Sequence, residues 1–314
     1  MPVVAEVTRS GLVESRHHGH VAALDANGAL VLAVGDVTSP VFGRSSNKPL
    51  QAVAMLRLGL VVEDDELALV TASHSGEPRH LAVVERILRA GGLTADDLDN
   101  TPALPLDEHC THELLRTGGT ATSLTQNCSG KHAGMLVTCA ANGWPLDTYL
   151  DPDHPLQRAI ATTVAELAGE PVSAIGIDGC GAPVHAVSLR GLARAYRTLV
   201  TAAPGTAEHR VAEAMRAHPD LVGGTGRDVT TLMTALPGLL AKDGAEGVYA
   251  AATATGQAIA LKIDDGAWRP RPAVLIAALD ALGVGVPDAL RDALRVPALG
   301  HGLPVGEVRA LPLR

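Results

Sequence analysis

At 314 residues and 46% hydrophobic content, the chain is long enough for one large domain or two closely packed ones. A formal charge of -9 and only 2% aromatic residues exclude the basic stripe and stacking platforms that nucleic-acid binding uses, so a small-molecule partner is expected. No window nears the ~18 uninterrupted apolar residues of a membrane span. "MPVVAEVTRSG" lacks the basic flank and apolar core of an export signal, so no membrane partner, a cytoplasmic location and reduced cysteines are expected.

In chain order, the first 35 residues read as antiparallel strands, with "HVAALDANGALVLAVGD" turning at Asn27-Gly28. "LQAVAMLRLGL" reads as a helix. The apolar "ELALV" reads as a strand leading into the helix "EPRHLAVVERILRAGG", which Gly91-Gly92 closes. "SGKHAGMLVTCAANG" reads as a helix capped by Ser129 and ended by Asn142-Gly143, and "HPLQRAIATTVAELAG" and "TAEHRVAEAMRAHP" as two more. A second hairpin turns at Thr255-Gly256 in "VYAAATATGQAIALKIDDG"; a helix, "AVLIAALDALG", and a short extended run, "VGEVRALPL", follow. Strands at both ends with helices between predict an α/β (α+β) fold. One antiparallel sheet is expected from about 1–40 and about 245–314, flanked by helices, with a mainly helical middle over about 45–240. No linker divides the chain, so a single domain over 1–314 is expected.

Among 25 basic residues only Lys48, Lys131, Lys242 and Lys262 are lysine. A chain that writes arginine for ordinary positive charge is expected to spend lysine where arginine cannot serve. Guanidinium stays protonated, whereas a desolvated ammonium can lose its proton and act as a base. In "GRSSNKP", Pro49 is tolerated only in a first helical turn, which puts the helix start near Ser46 or Asn47. Ser45 then lies at the helix mouth, with Lys48 one turn on and on the same side. A lysine so placed can take the proton that makes a serine nucleophilic, and the free N–H groups of a helix start favour developing negative charge. The same residues also read as a helix cap and a solvated lysine.

"TASHSGEPRH" supplies Ser73, His74, Ser75 and Glu77 at a turn suited either to catalytic groups or to plain capping. In "QNCSGKHAGML", Cys128 and Lys131 are three apart at a helix start with His132 adjacent; the first glycine and final hydroxyl of a phosphate loop are missing. Cys180 follows Asp178 in the Gly-rich "GIDGCGAP". Two thiolates with nitrogen nearby are able to hold zinc, but two buried, inert cysteines are the commoner reading of such a pair. "LVGGTGRDVTTLM" brings a Gly-rich turn at Gly223 to Gly226, either an anion cradle or a loop. Lys262, in the strand "AIALKIDDG", is an edge lysine or a buried amine, and "HCTHE" at His109 to Glu113 reads as a solvated loop.

Together and in order, "GRSSNKP", "ASHSGE", "NCSGKHAGML", "IDGCGAP", "GTGRDVT" and "LKIDDG" resemble the asparaginase II family, also termed class 3 or rhizobial-type asparaginases, over nearly the whole chain. The resemblance implies a serine β-lactamase/penicillin-binding-like architecture. It also implies hydrolysis of L-asparagine to L-aspartate and ammonia through a Ser-Lys nucleophile and a β-aspartyl ester, in a homodimer. By it, Ser45 is the nucleophile with Lys48 as partner, and Ser73 with Lys262 forms the second Ser–Lys pair. It places zinc on Cys128, Lys131 and Cys180, shaping the pocket rather than performing the chemistry. Arg44 and Asp178 stand beside the substrate, and His132 beside the metal ligands and the substrate. Three other readings use the same residues. They are a β-lactamase-like or peptidase-like serine acylase, a zinc-dependent amidohydrolase relying on Cys128 and Cys180, and a binding module without turnover.

Overall fold

The computed structural model describes residues 1–313. Three strands open the chain, β1 (Val3–Arg9), β2 (Leu12–Leu24) and β3 (Leu30–Val34), paired antiparallel, with the β2–β3 connection passing through Asn27-Gly28. The short β4 (Pro40–Phe42) leads into a 3-10 turn, Arg44–Asn47, and then into α1 (Lys48–Arg57), with Pro49 in its first turn. The helices α2 (Asp64–Val70), α3 (Pro78–Ala90), α4 (Glu108–Arg116), α5 (Ser129–Asn142) and α6 (Pro155–Ala168) follow. A hairpin of β5 (Ala174–Ile177) and β6 (Pro183–Ser188) precedes α7 (Leu189–Thr201), α8 (Ala207–Ala217), α9 (Pro219–Val222) and α10 (Asp228–Ala235). The chain returns to the sheet as β7 (Leu240–Asp243), β8 (Val248–Ala252) and β9 (Ala258–Ile263). It ends with α11 (Arg271–Ala281), α12 (Asp288–Ala293), β10 (Pro297–Gly300) and β11 (Leu303–Ala310).

The main sheet has eight strands in the order β10-β11-β1-β2-β9-β8-β7, with β3 also on β2, and every pairing is antiparallel. It is therefore built from both chain ends, as expected. The buried stripe of α7, with Leu189, Leu192, Tyr196 and Leu199 spaced three or four apart, packs on β2, β8 and β9, while α11 packs on β1, β9 and β11. Residues between β3 and β7 are mainly helical, with α5 as the inner helix: every residue from Ser129 to Cys139 is buried. Gly130 permits this. A Cβ there would come within 2.4 Å of the Leu69 carbonyl oxygen, so α2 and α5 approach backbone to backbone. Among the described residues, no helix is long and apolar enough to cross a membrane.

Four expectations are corrected. "ELALV" is not a strand but the body of α2; Glu66 to Val70 are all buried, so no alternation separates strand from helix there. A capping box between Glu63 and Glu66 starts that helix. "HCTHE" is helical, within α4, and its cap is Asp107, which accepts from the Cys110 N–H. Ser129 is the first residue inside α5, and Cys128 holds the N-cap position. Finally, the middle region contains a small sheet, β4-β6-β5, which carries Gly43 and Asp178 at its margin.

Candidate active site

Three chain segments meet where β7 ends. The 3-10 turn before α1 lies against β7, and the Ser46 hydroxyl donates to the Lys242 carbonyl at 3.0 Å. After α2, residues Ser73 to Ser75 run extended and are pinned on both sides. Ser73 and Ser75 donate their N–H groups to Val222 and Gly223, and His74 donates its own to Asn127. The Gly-rich turn is needed for that contact, since a Cβ on Gly224 would lie 2.3 Å from the Ser75 hydroxyl. His74 is buried, and burial pushes its imidazole well below the usual range. Its Nδ1 accepts from the Gly76 N–H, which leaves Nε2 to donate to Ser129 Oγ at 2.8 Å.

At the centre one hydroxyl lies between two amines. Lys48 Nζ stands 3.1 Å from Ser73 Oγ and donates to the Ala72 carbonyl at 2.5 Å. Lys242 Nζ stands 3.0 Å from the same Oγ, from the other side. Lys48 is 1% exposed, Lys242 0% and Ser73 5%. Burial lowers Lys242 to about 8; the adjacent Asp243 carboxylate opposes this, and the charge on Lys48 adds to it. A buried lysine near 8 supplies both a donor and a base at ordinary pH.

Two expected site residues are placed differently. Ser45 sits half-buried at the mouth, where its carbonyl accepts the Lys48 N–H. Among the described residues no side-chain hydrogen bond joins Ser45 to Lys48, because the Lys48 amine reaches inward to Ala72 and Ser73. Lys262 is not the partner of Ser73. It lies on β9, half-buried, donates to its neighbour's carbonyl at Ile263, and faces Asp264, Glu246 and Arg44 at the rim. The amine that meets Ser73 comes from "LLAKDG". Only the scarcity of lysine marked that residue in the sequence.

Arg44 and Asp178 do come together at the mouth. Arg44 Nε is 2.9 Å and its terminal nitrogen 2.8 Å from Asp178 Oδ1, and the Gly179 N–H also donates to that oxygen at 2.8 Å. Burial disfavours the Asp178 charge, but Lys131 and Arg44 hold its carboxyl below the usual range. Arg44 adopts φ of 50°, in the left-handed region, and the facing Glu246, 3.9 Å from its guanidinium, has φ of 55°. Non-glycine residues held there mark a site constrained by its surroundings.

Cys128 and Cys180 form a small buried cluster with Ala182, and Lys131 Nζ lies 3.1 Å from Cys180 Sγ. A hydrogen bond from Cys180, with Lys131 and Lys48 nearby, pulls the Cys128 thiol well down, while sharing that proton pushes Cys180 up. Among the described residues no three His, Cys, Asp or Glu side chains gather in a metal-binding group. The third group here is Lys131: burial disfavours its charge, but Cys180 and Cys128 hold its amine above the usual range, so it would ligate an ion such as zinc only on giving up its proton. His132 is fully buried and bonded through Nδ1 to the Tyr149 hydroxyl at 2.7 Å, so it backs the cluster.

A serine flanked by buried amines on a mixed α/β scaffold is an arrangement suited to acyl-transfer hydrolases. The chain belongs to the L-asparaginase II family, whose model matches residues 5–310, and it is an asparaginase-type amidohydrolase. Solved structures with similar folds include Mglu in its native form, at 14% identity over 87% of this chain and 67% of that one, with a TM-score of 0.46. A putative beta-lactamase from Bacteroides dorei shares 12% identity over 78% of this chain and 84% of its own, at 0.45. EstCE1, a hydrolase with promiscuous acyltransferase activity, shares 14% over 85% and 93%, also at 0.45. At such scores these overlaps add nothing to the family assignment. No curated protein matches the chain.

Proposed function

We propose that this enzyme hydrolyses L-asparagine to L-aspartate and ammonia through a β-aspartyl ester on a serine. The observation that carries the reading is the Ser73 hydroxyl between Lys48 and Lys242, at 3.1 and 3.0 Å. The Ser45 oxygen attacks the side-chain amide carbon once neutral Lys48 turns from the Ala72 carbonyl toward it, and its proton passes to Lys48 and on, through Ser73, to Lys242. The C–N bond then breaks as the amide nitrogen takes a proton from this relay and leaves as ammonia. Water next attacks the ester while giving a proton to the same relay, and the C–O bond to Ser45 breaks as its oxygen takes a proton back. The substrate α-carboxylate meets Arg44, and its ammonium meets Asp178.

A second reading is favoured by one observation: Ser73, not Ser45, holds the Lys48 hydrogen bond. On that reading Ser73 is the nucleophile, with Lys242 as its base. Intact-mass trapping of the acyl-enzyme in Ser45→Ala and Ser73→Ala variants separates the two, since only the variant keeping its nucleophile gains the adduct. The parent reading is tested by ammonia release from L-asparagine against L-glutamine; absence of release from both overturns it.

Cys128, Lys131 and Cys180 would hold zinc. Bound there, the ion would fix charge and shape at the pocket floor, as the burial of all three residues supports. Because the site draws on both the sheet and the helical region, we read 1–314 as one domain. A homodimer is the state that the family resemblance suggests, and sedimentation velocity tests it.

A further inference from the structure

The residue next to Lys242 in the chain has no part in the proposed bond changes, yet it is among the most heavily engaged side chains in the protein. Asp243 is 5% exposed. Its Oδ1 lies 2.6 Å from Lys242 Nζ, and its backbone carbonyl accepts from the same amine at 2.9 Å. Its other oxygen, Oδ2, faces two guanidinium groups, Arg227 at 2.9 Å and Arg271 at 3.9 Å. Each of these is held in turn. Arg271 donates to the Gly244 carbonyl at 2.5 Å, lies 4.0 Å from Asp228 and sits over the Tyr249 ring. Arg227 reaches the Ser73 carbonyl at 3.5 Å. We propose that Asp243, clamped between Arg227 and Arg271, is a positioning residue that sets how firmly Lys242 holds its proton beside Ser73. This rests on the reading of Lys242 as a catalytic amine.

Lys48 from α1, Lys242 from β7 and Arg227 from the turn before α10 bring three cations around one serine. Asp243 is the single carboxylate in contact with the Lys242 amine among the described residues. Asp228 on α10, Arg271 on α11, Tyr249 on β8 and Tyr196 on α7 complete the surrounding groups. A bare carboxylate at 2.6 Å would keep the lysine protonated, whereas no carboxylate would leave the amine neutral and unable to return a proton. The two guanidinium groups draw on Oδ2 and weaken the hold of Oδ1 on Lys242. An intermediate proton affinity follows, in line with the position of Lys242 near 8. Arg227, Asp228 and Arg271 also line an open cavity of about 740 Å³, so a polar replacement on the guanidinium side has access to water.

The test uses the chain's economy in lysine. With four lysines in all, protein labelled with ε-¹³C lysine gives few signals, and Lys242→Arg identifies the one from Lys242. In Asp243→Asn the Lys242 titration is expected about one to three pH units lower than in the parent. In Arg227→Gln it is expected to rise, because the full carboxylate charge returns to the amine and a neighbouring cation is gone. The acid limb of the kcat/KM profile should follow in the same two directions. Opposite movements support the proposal. Movement in one direction in both variants, or none in either, overturns it. Should Asp243→Asn fail to fold, Arg227→Gln decides alone: a rise supports the proposal and an unchanged titration refutes it. The lysine titration uses no substrate, so it remains decisive even if the parent releases no ammonia from L-asparagine.

Discussion

Replacing Lys48 by arginine separates charge from basicity. The amine is 1% exposed and satisfies two buried acceptors, the Ala72 carbonyl and the Ser73 hydroxyl. Arginine keeps the positive charge and can still donate to both, but guanidinium does not give up its proton at any working pH. The larger side chain also overfills a packed site, at a cost of about 1–3 kcal/mol. A general base contributes typically about 10²–10⁴-fold to a rate, so Lys48→Arg is expected to lose at least about a hundredfold in kcat for ammonia release. A second variant, Lys48→Met, removes the charge at similar volume and strands the Ala72 carbonyl, while Ser73 keeps Lys242, costing about 1–3 kcal/mol in stability. Both variants are measured by coupled ammonia assay, with denaturant unfolding to confirm that the protein remains folded. If folded Lys48→Arg turned over asparagine within tenfold of the parent, the base assigned here would be wrong.

Three further outcomes follow from the same geometry. On the proposed mechanism, with burial holding Lys242 near 8, kcat/KM should climb as pH rises and level off above about 8; a profile flat from about 6 to about 9 would remove Lys242 from the proton path. Asp178→Asn frees the Arg44 guanidinium from its tightest partner and should raise KM far more than it lowers kcat, which steady-state kinetics resolve. Gly130→Ala would drive a methyl to within 2.4 Å of the Leu69 carbonyl oxygen. A loss of about 1–3 kcal/mol in denaturant melts is expected, and a neutral result would show that α2 and α5 can part without strain.

Much of the fold was legible because both sheet-forming ends announce themselves locally. Asn27-Gly28 and Thr255-Gly256 mark hairpins by residue type alone. The helical middle was less legible in its details. α2 is buried on every side after its first turn, so its apolar run carries no period, and β4, β5 and β6 are three to six residues long. The site divided in the same way. Arg44 lies against Asp178, and Lys131 lies against Cys180 beside Cys128. Ser45 with Lys48 and Ser73 with Lys262 do not meet, because strand position and side-chain direction settle those pairs, and neither is written in a short motif.

The plainest signal lay in composition rather than in any motif. Lysine is almost never fully buried without partners, and a chain that otherwise uses arginine has little reason to place lysine inside. Lys48 and Lys131 are nevertheless 1% exposed and Lys242 0%, and all three belong to the cluster around Ser73 and Cys180. The fourth, Lys262, is the half-buried one, and it stands at the rim. The motif "LKIDDG" points to Lys262 rather than Lys242. Scarcity alone would have kept both as candidates, and burial then decides between them. The cost of burying three ammonium groups is several kcal/mol each unless they are paired. The protein meets that cost with Asp243 on Lys242, backbone and hydroxyl oxygens on Lys48, and the thiol pair on Lys131. Arginine would satisfy such partners at least as well. What lysine adds is the option of losing its proton, and that option has value only where chemistry takes place.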